Sequence, residues 1–272
     1  MESASLFQLD RYSTAWVKPF YTQAAKWWGS DADVPGEEQA RTRTVERLCG
    51  PEPKKILELG AGAGATSAAL ADLGHTVIAI ELSPVYARFA HDLAVVPRSG
   101  SMTVLEADFY TVELSERFDV VCYWDGFGVG SDADHRRLLQ RIAQDWLAPG
   151  GSVLLDVFSP IRPARSAGTE ERLDPLEGVA ESVEMLRRCH FDPVQCRWID
   201  EWQPTAHPEE ALAQAIRCYS PVDFRLLLEN TGLALERIEV EGEAVDLGAD
   251  AITTAGPLMD AWSYLVQLRA IA

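Results

Sequence analysis

The chain has 272 residues, and 24 basic against 42 acidic side chains give a formal net charge of −18. Hydrophobic residues make up 47% and charged residues 24%, a balance that excludes a disordered tail or a collagen-like rod. The acidity argues against a nucleic-acid partner, which selects clustered Lys and Arg, and against an anionic membrane surface. A small-molecule substrate of cationic character suits it better.

The opening MESASLFQLDRYS has no basic start and no apolar run, so no secretory signal is expected. No stretch reaches the ~18 apolar residues of a membrane helix. Cys49, Cys122, Cys189, Cys196 and Cys218 form an odd set without CxxC spacing, which predicts free thiols and a cytoplasmic location. The spacing of Cys189, His190 and Cys196 does not match a zinc site, and no metal ligands are assigned.

Residues 1–50 read as helices dense in aromatics, among them Tyr12, Trp16, Phe20, Tyr21, Trp27 and Trp28. From Lys54 the rhythm changes. KKILELG predicts a buried strand, Ala65 to Leu73 a helix, HTVIAIELS a second strand, and Pro84 to Leu93 a second helix. MTVLEADF and FDVVCYWDGF follow as strands three and four. Asp132 to Leu147 reads as a helix closed by APGG, and SVLLDVF as strand five. Apolar strands alternating with amphipathic helices predict an α/β fold, a Rossmann-like, mostly parallel sheet with helices on both faces.

After Ser159 the pattern breaks, and residues 160–188 show no clear period. HFDPVQCRWIDEWQP and ALAQAIRCYS read as strands able to pair, an inserted antiparallel segment. Ser220 and Pro221 open a further helix, and LERIEVEGE and AWSYLVQLRA form the last two strands.

The sharpest motif is ELGAGAG, Glu58 to Gly64, placed between a strand and a helix. Its glycines allow a tight turn and close backbone approach by a ligand, next to a helix N-terminus. Glu81 closes the next strand, where a carboxylate can accept from two ribose hydroxyls. Taken alone, the loop fits a dinucleotide or S-adenosyl-L-methionine. The third glycine comes one residue early for the dinucleotide pattern, and Glu58 would repel a pyrophosphate but accept a methionine ammonium. These residues therefore favour S-adenosyl-L-methionine. Asp108 with Phe109 ends strand three, suited to an adenine amino group and ring. Tyr123, Trp124, Asp125 and Phe127 end strand four.

ILELGAGAG, AIEL, EADF, FDVVCYWDGFGVG and LAPGGSVLLDVF together resemble the motif series of the class I S-adenosyl-L-methionine-dependent methyltransferases. The match covers about residues 20–160 firmly and 215–272 loosely. The resemblance implies a seven-stranded sheet of order 3-2-1-4-5-7-6. It divides the chain into an N-terminal helical lid (1–50), a cofactor-binding core (51–159), a substrate-covering insert (160–219) and a C-terminal return to the core (220–272). Carried over by position, Glu58, Gly60, Ala61 and Gly62 border the methionine part, Glu81 and Leu82 the ribose, and Asp108 and Phe109 the adenine. Tyr21, Trp28 and Tyr123 complete the expected cofactor set. Tyr12, Tyr21, Asp125 and Phe127 are the expected catalytic residues. The texture is reminiscent of antibiotic-pathway N-methyltransferases, including the lincosamide type.

WDGF stands where nucleic-acid amino-methyltransferases carry [DNS]PP[YFW], so a base is not the expected acceptor. Asp132 and Asp134 start a helix, where acids favour the dipole without any metal. His135 is expected on an exposed helix face, and His190 and His207 in the insert, so no histidine stands out as a base. That favours an amine nitrogen as acceptor, with oxygen or carbon as the alternative and a non-catalytic cofactor-binding protein as a remote one. The strands around WIDEWQP suit either a lid or a contact in a homo-oligomer.

Overall fold

In Lys55–Leu59 every residue after the first is buried, and alternation sends the side chains to opposite faces of a sheet. Leu57 and Leu59 join one apolar cluster; Ile56 joins the other, with Glu58 on its side. A strand buried on both faces is the signature of a parallel sheet sandwiched by helices. The computed structural model describes residues 13–29, 36–246 and 256–271.

In chain order the elements are α1 (Val17–Trp28), α2 (Glu37–Cys49), β1 (Lys55–Leu59), α3 (Ala65–Asp72), β2 (Thr76–Glu81), α4 (Pro84–Ala94), β3 (Ser101–Glu106), β4 (Phe118–Phe127), α5 (Asp132–Arg141) and β5 (Leu147–Phe158). There follow α6 (Ile161–Ser166), β6 (Glu170–Leu173), β7 (Met185–Asp192), β8 (Arg197–Pro204), β9 (Leu212–Arg217), α7 (Pro221–Leu227), β10 (Leu233–Val240), β11 (Glu243–Ala244), α8 (Pro257–Asp260) and β12 (Ser263–Ala270).

The main sheet runs β11-β10-β12-β5-β4-β1-β2-β3. β3, β2, β1, β4 and β5 are parallel, whereas β12 is antiparallel to both β5 and β10. With the two-residue β11 set aside, this is the expected order 3-2-1-4-5-7-6. β2 and β4 flank β1 on opposite sides, so the chain reverses direction there and leaves a crevice beyond the strand ends.

Local chemistry fixes the helix starts. Ser131 with Asp134, and Ser220 with Asp223, form capping boxes, and Pro221 opens α7. α5 is shorter than its sequence predicts. Its last turn, Ile142–Trp146, is a π-helix, and β5 begins at Leu147.

The insert is a four-stranded antiparallel sheet, β6-β7-β8-β9. HFDPVQCRWIDEWQP is not one strand. Asp192 Oδ1 accepts from the backbone of Val194 at 3.0 Å and Gln195 at 3.1 Å, and Cys196 turns back with φ 50°, so the segment folds into the β7–β8 hairpin. β9 is stitched to the core by a bridge between Val129 and Ile216 and by Arg217 N–H donating to Gly128 O at 2.8 Å. Among the described residues no helix is long and apolar enough to cross a membrane.

Candidate active site

The crevice beyond β1, β2 and β4 opens into a cavity of about 460 Å³, within the usual range of small-molecule sites. Its floor is the turn after β1. Gly60 and Gly62 have φ of 61° and 57°, left-handed backbone that favours glycine. A Cβ on Gly60 would lie 3.0 Å from Tyr123 Cε2, whereas one on Gly62 would meet no protein atom within 4 Å. Gly62 thus presents bare backbone to the cavity. Glu58 is buried behind this turn and accepts from the Ser67 hydroxyl.

Glu81 closes β2 with its carboxylate turned back on the same turn. It accepts from Gly62 N at 2.8 Å and Ser83 N at 2.7 Å. The Leu82 backbone also donates to this carboxylate. Burial pushes the Glu81 carboxyl up to about 7, partly offset by the Ser83 and Gly62 hydrogen bonds. Asp108 accepts from Tyr110 N at 2.8 Å, and the Phe109 and Tyr123 rings meet edge to face at 5.4 Å.

The far wall comes from the insert and α1. Trp198, Asp200 and Trp202 occupy alternate positions of β8 and all line the cavity. Asp200 is 1% exposed. It accepts from Arg187 Nε at 2.8 Å, Arg187 Nη2 at 3.2 Å, Trp202 Nε1 at 2.8 Å and Gln214 Nε2 at 3.2 Å. Tyr21 of α1 donates its phenol to Gln214 Oε1 at 3.1 Å, and Trp28 meets Trp202 at 4.8 Å. Burial, then the charges of Glu81, Asp125 and Asp200, hold the Tyr21 phenol protonated far above its ordinary range.

A family model described as "Methyltransferase domain" matches residues 36–238. The chain belongs to that methyltransferase family. S-adenosyl-L-methionine is its cofactor, and the site fits that molecule. A bare backbone turn at Gly62 can take close approach, the buried Glu81 carboxylate can accept from a sugar hydroxyl, and Glu58 stands behind the floor. The fold is similar to that of the CcbJ methyltransferase from Streptomyces caelestis, with TM-score 0.71 and 19% identity over 97% of this chain and 100% of that one. It is also similar to the sugar N-methyltransferase KedS8 from a Streptoalloteichus species, with TM-score 0.61 and 20% identity over 88% and 89% of the two chains. The chain is 30% identical over 117 residues to a cypemycin N-terminal methyltransferase from a Streptomyces species, a match spanning 42% of this chain and 46% of that relative's length.

Within this methyltransferase the expected cofactor residues converge. Glu58, Gly60, Ala61, Gly62, Glu81, Leu82, Asp108, Phe109, Tyr123, Tyr21 and Trp28 all line the one cavity. Asp125 lies there too, with φ 51° at a register shift in β4; it is 57% exposed and accepts from Arg41 at 3.0 Å. Phe127 does not line the cavity. It is fully buried, its ring 5.7 Å from Phe224 and 5.1 Å from His135, because the register shift after Tyr123 turns it into the core. Tyr12 lies outside the described residues.

His135, expected at the surface, is 1% exposed. The same face of α5 carries Leu138 and Leu139, and it packs onto the core. His135 Nε2 donates to Val129 O at 2.9 Å. The Tyr219 hydroxyl lies between His135 Nδ1 at 2.6 Å and Asp132 Oδ1 at 2.7 Å. Asp132 also accepts from Arg217 at 2.9 Å, and Asp134 belongs to the helix cap. Sequence reasoning missed Lys18, Arg41, Arg187, Asp200 and Gln214 as cavity residues. Only the period-two pattern Trp198, Asp200, Trp202 carried a signal for the wall.

Proposed function

We propose that this chain transfers a methyl group to an amine nitrogen of a small-molecule secondary metabolite, in an antibiotic-type pathway. The observation that carries this reading is the lining of the cavity. Carboxylates (Glu58, Glu81, Asp108, Asp125, Asp200) and aromatic faces surround it, and no histidine is among its described lining residues. Acids and aromatic faces favour a cationic amine. A hydroxyl acceptor needs a base to take its proton, most often a histidine, and the described lining offers none. Two relatives named above are N-methyltransferases, which supports the same acceptor atom.

S-adenosyl-L-methionine supplies an electrophilic methyl on a sulfonium sulfur. Gly60, Ala61, Gly62 and Glu58 hold its amino-acid end, Glu81 and Leu82 the ribose, and Asp108 and Phe109 the adenine. The protein's remaining work is alignment and exclusion of water. Tyr21, Trp28, Trp198 and Trp202 cover the cavity and exclude solvent. Asp125 orients the acceptor at the exposed mouth while tied to Arg41, and the ammonium gives its proton to water there before its nitrogen moves into the covered cavity and attacks.

Incubation with isotopically methyl-labelled S-adenosyl-L-methionine and paired amine and hydroxyl forms of candidate acceptors tests this. Mass gain of one methyl on the amine alone is expected. Label on oxygen or carbon would reassign the acceptor atom. Calorimetry that found no S-adenosylhomocysteine binding would remove the transferase reading itself.

A further inference from the structure

We propose that Asp200 is a positioning residue for methyl transfer, acting through Gln214 to fix the direction in which the Tyr21 phenol gives its proton. The proposal rests on the transferase reading above and adds to it a residue that touches neither cofactor nor acceptor for this purpose.

Asp200 is buried and paired with Arg187, and an ionised carboxylate only accepts. The end of the Gln214 amide facing it must therefore be the NH2 group, as the 3.2 Å contact from Nε2 shows. An amide fixed at one end is fixed at the other. Gln214 Oε1 faces Tyr21, and an amide oxygen only accepts, so the phenol spends its one proton there at 3.1 Å. What Tyr21 then offers the cavity is oxygen lone pairs. Lone pairs favour an ammonium or a methyl carrying positive charge; a phenol proton turned the same way would oppose both.

The fold makes this chain of bonds possible. Asp200 and Gln214 stand directly opposite each other in the β8–β9 pair. Arg187 comes from β7 on the other side of β8, and Tyr21 descends from α1. Two hydrogen bonds thus carry the carboxylate's polarity from the insert to the lid helix. Trp202 Nε1, Arg187 Nη2 and Gln214 Nε2 all donate to the one oxygen Oδ2 of Asp200, so Asp200→Asn keeps that acceptor and Asp200→Ala removes it. In Asp200→Ala the glutamine is free to reverse and give its own NH2 to Tyr21, and the phenol proton turns into the cavity.

Sinefungin tests this without a known acceptor, because it carries an amine-bearing carbon where S-adenosyl-L-methionine carries its methylated sulfur. Its affinity relative to S-adenosylhomocysteine, measured by calorimetry, reports acceptors around the transferred methyl. Asp200→Ala, Gln214→Ala and Tyr21→Phe should each reduce sinefungin's relative affinity about tenfold, the scale of a charge-assisted hydrogen bond. Adding Asp200→Ala or Gln214→Ala to Tyr21→Phe should change the ratio no further. An unchanged ratio in the single variants, equal loss of both ligands, or a further loss in the double variants would overturn the proposal. Should Asp200→Ala fail to fold, Gln214→Ala alone and combined with Tyr21→Phe decides it. None of these results bears on whether the unaltered protein binds S-adenosylhomocysteine, which tests the transferase reading separately.

Discussion

Gly62 N–H reaches the Glu81 carboxylate at 2.8 Å, so the turn after β1 and the acid that ends β2 are joined across the crevice by the fold itself. The acid is 6% exposed. Its carboxyl, pushed up to about 7 by burial, is partly protonated near neutrality. Sugar hydroxyls that donate to it favour the ionised form. S-adenosylhomocysteine affinity should therefore rise with pH through about 7, with proton release on binding. Glu81→Gln should flatten that dependence, and Glu81→Ala should weaken binding about 10- to 100-fold. Calorimetry in buffers of different ionisation heat measures both; a flat wild-type profile would count against the ribose role.

The same residue has an opposite consequence for stability. An acid whose folded value lies above its unfolded 4.5 binds more protons in the native state between about 4.5 and 7, so its contribution is lost as pH rises through that window. His135 works the other way. Burial holds it down to about 4 from 6.5, so its contribution is present above 6.5 and lost as pH falls toward 4. Denaturant titrations of His135→Gln between pH 4.5 and 7 should show a shallower loss of stability on acidification than the wild type. Identical slopes would mean that His135 is not buried neutral beside Val129 and Tyr219.

Gly60 and Gly62 separate fold from function within one turn. Alanine at either position meets the left-handed backbone cost of roughly 1–2 kcal/mol. At Gly60 it also presses on the Tyr123 ring at 3.0 Å, an additional cost of about 1 kcal/mol or more. Gly62→Ala meets no protein atom within 4 Å, so its added methyl enters the space left for ligand. Gly60→Ala should have the lower melting temperature, and Gly62→Ala the greater loss of S-adenosylhomocysteine affinity relative to its loss of stability. The reverse ranking would argue that the ligand does not approach the Gly62 backbone.

Asp125 accepts from Arg41 at 3.0 Å and is largely exposed, which suits a group that orients an acceptor better than one that takes its proton. Asp125→Asn should raise the acceptor's KM several-fold and leave the midpoint of the pH–rate profile where the free amine's own titration puts it. A midpoint that moved with the substitution would make Asp125 the base.

The residues proposed for the cofactor were legible in the sequence as one end of the cavity because their pattern is local. The glycine turn follows its strand directly, Glu81 lies one βα unit further on, and period-two and helical patterns located the elements between them. The sheet order followed from the motif series. The opposite wall was not legible. Asp200 meets Arg187 through one antiparallel pairing and Gln214 through another, and Tyr21 joins them from nearly two hundred residues away. Such partners are chosen by strand register and helix docking, which neighbouring residues do not encode. Phe127 and His135 show the same division. Sequence located the strand and the helix that carry them, but a register shift in β4 and the packing of α5 decided that both face the core. The sequence by itself thus determined the turn and the acid that meet at the crevice, and the tertiary structure alone decided which side chains of β8, β9 and α1 face them across the cavity, because strand register and helix docking choose those partners.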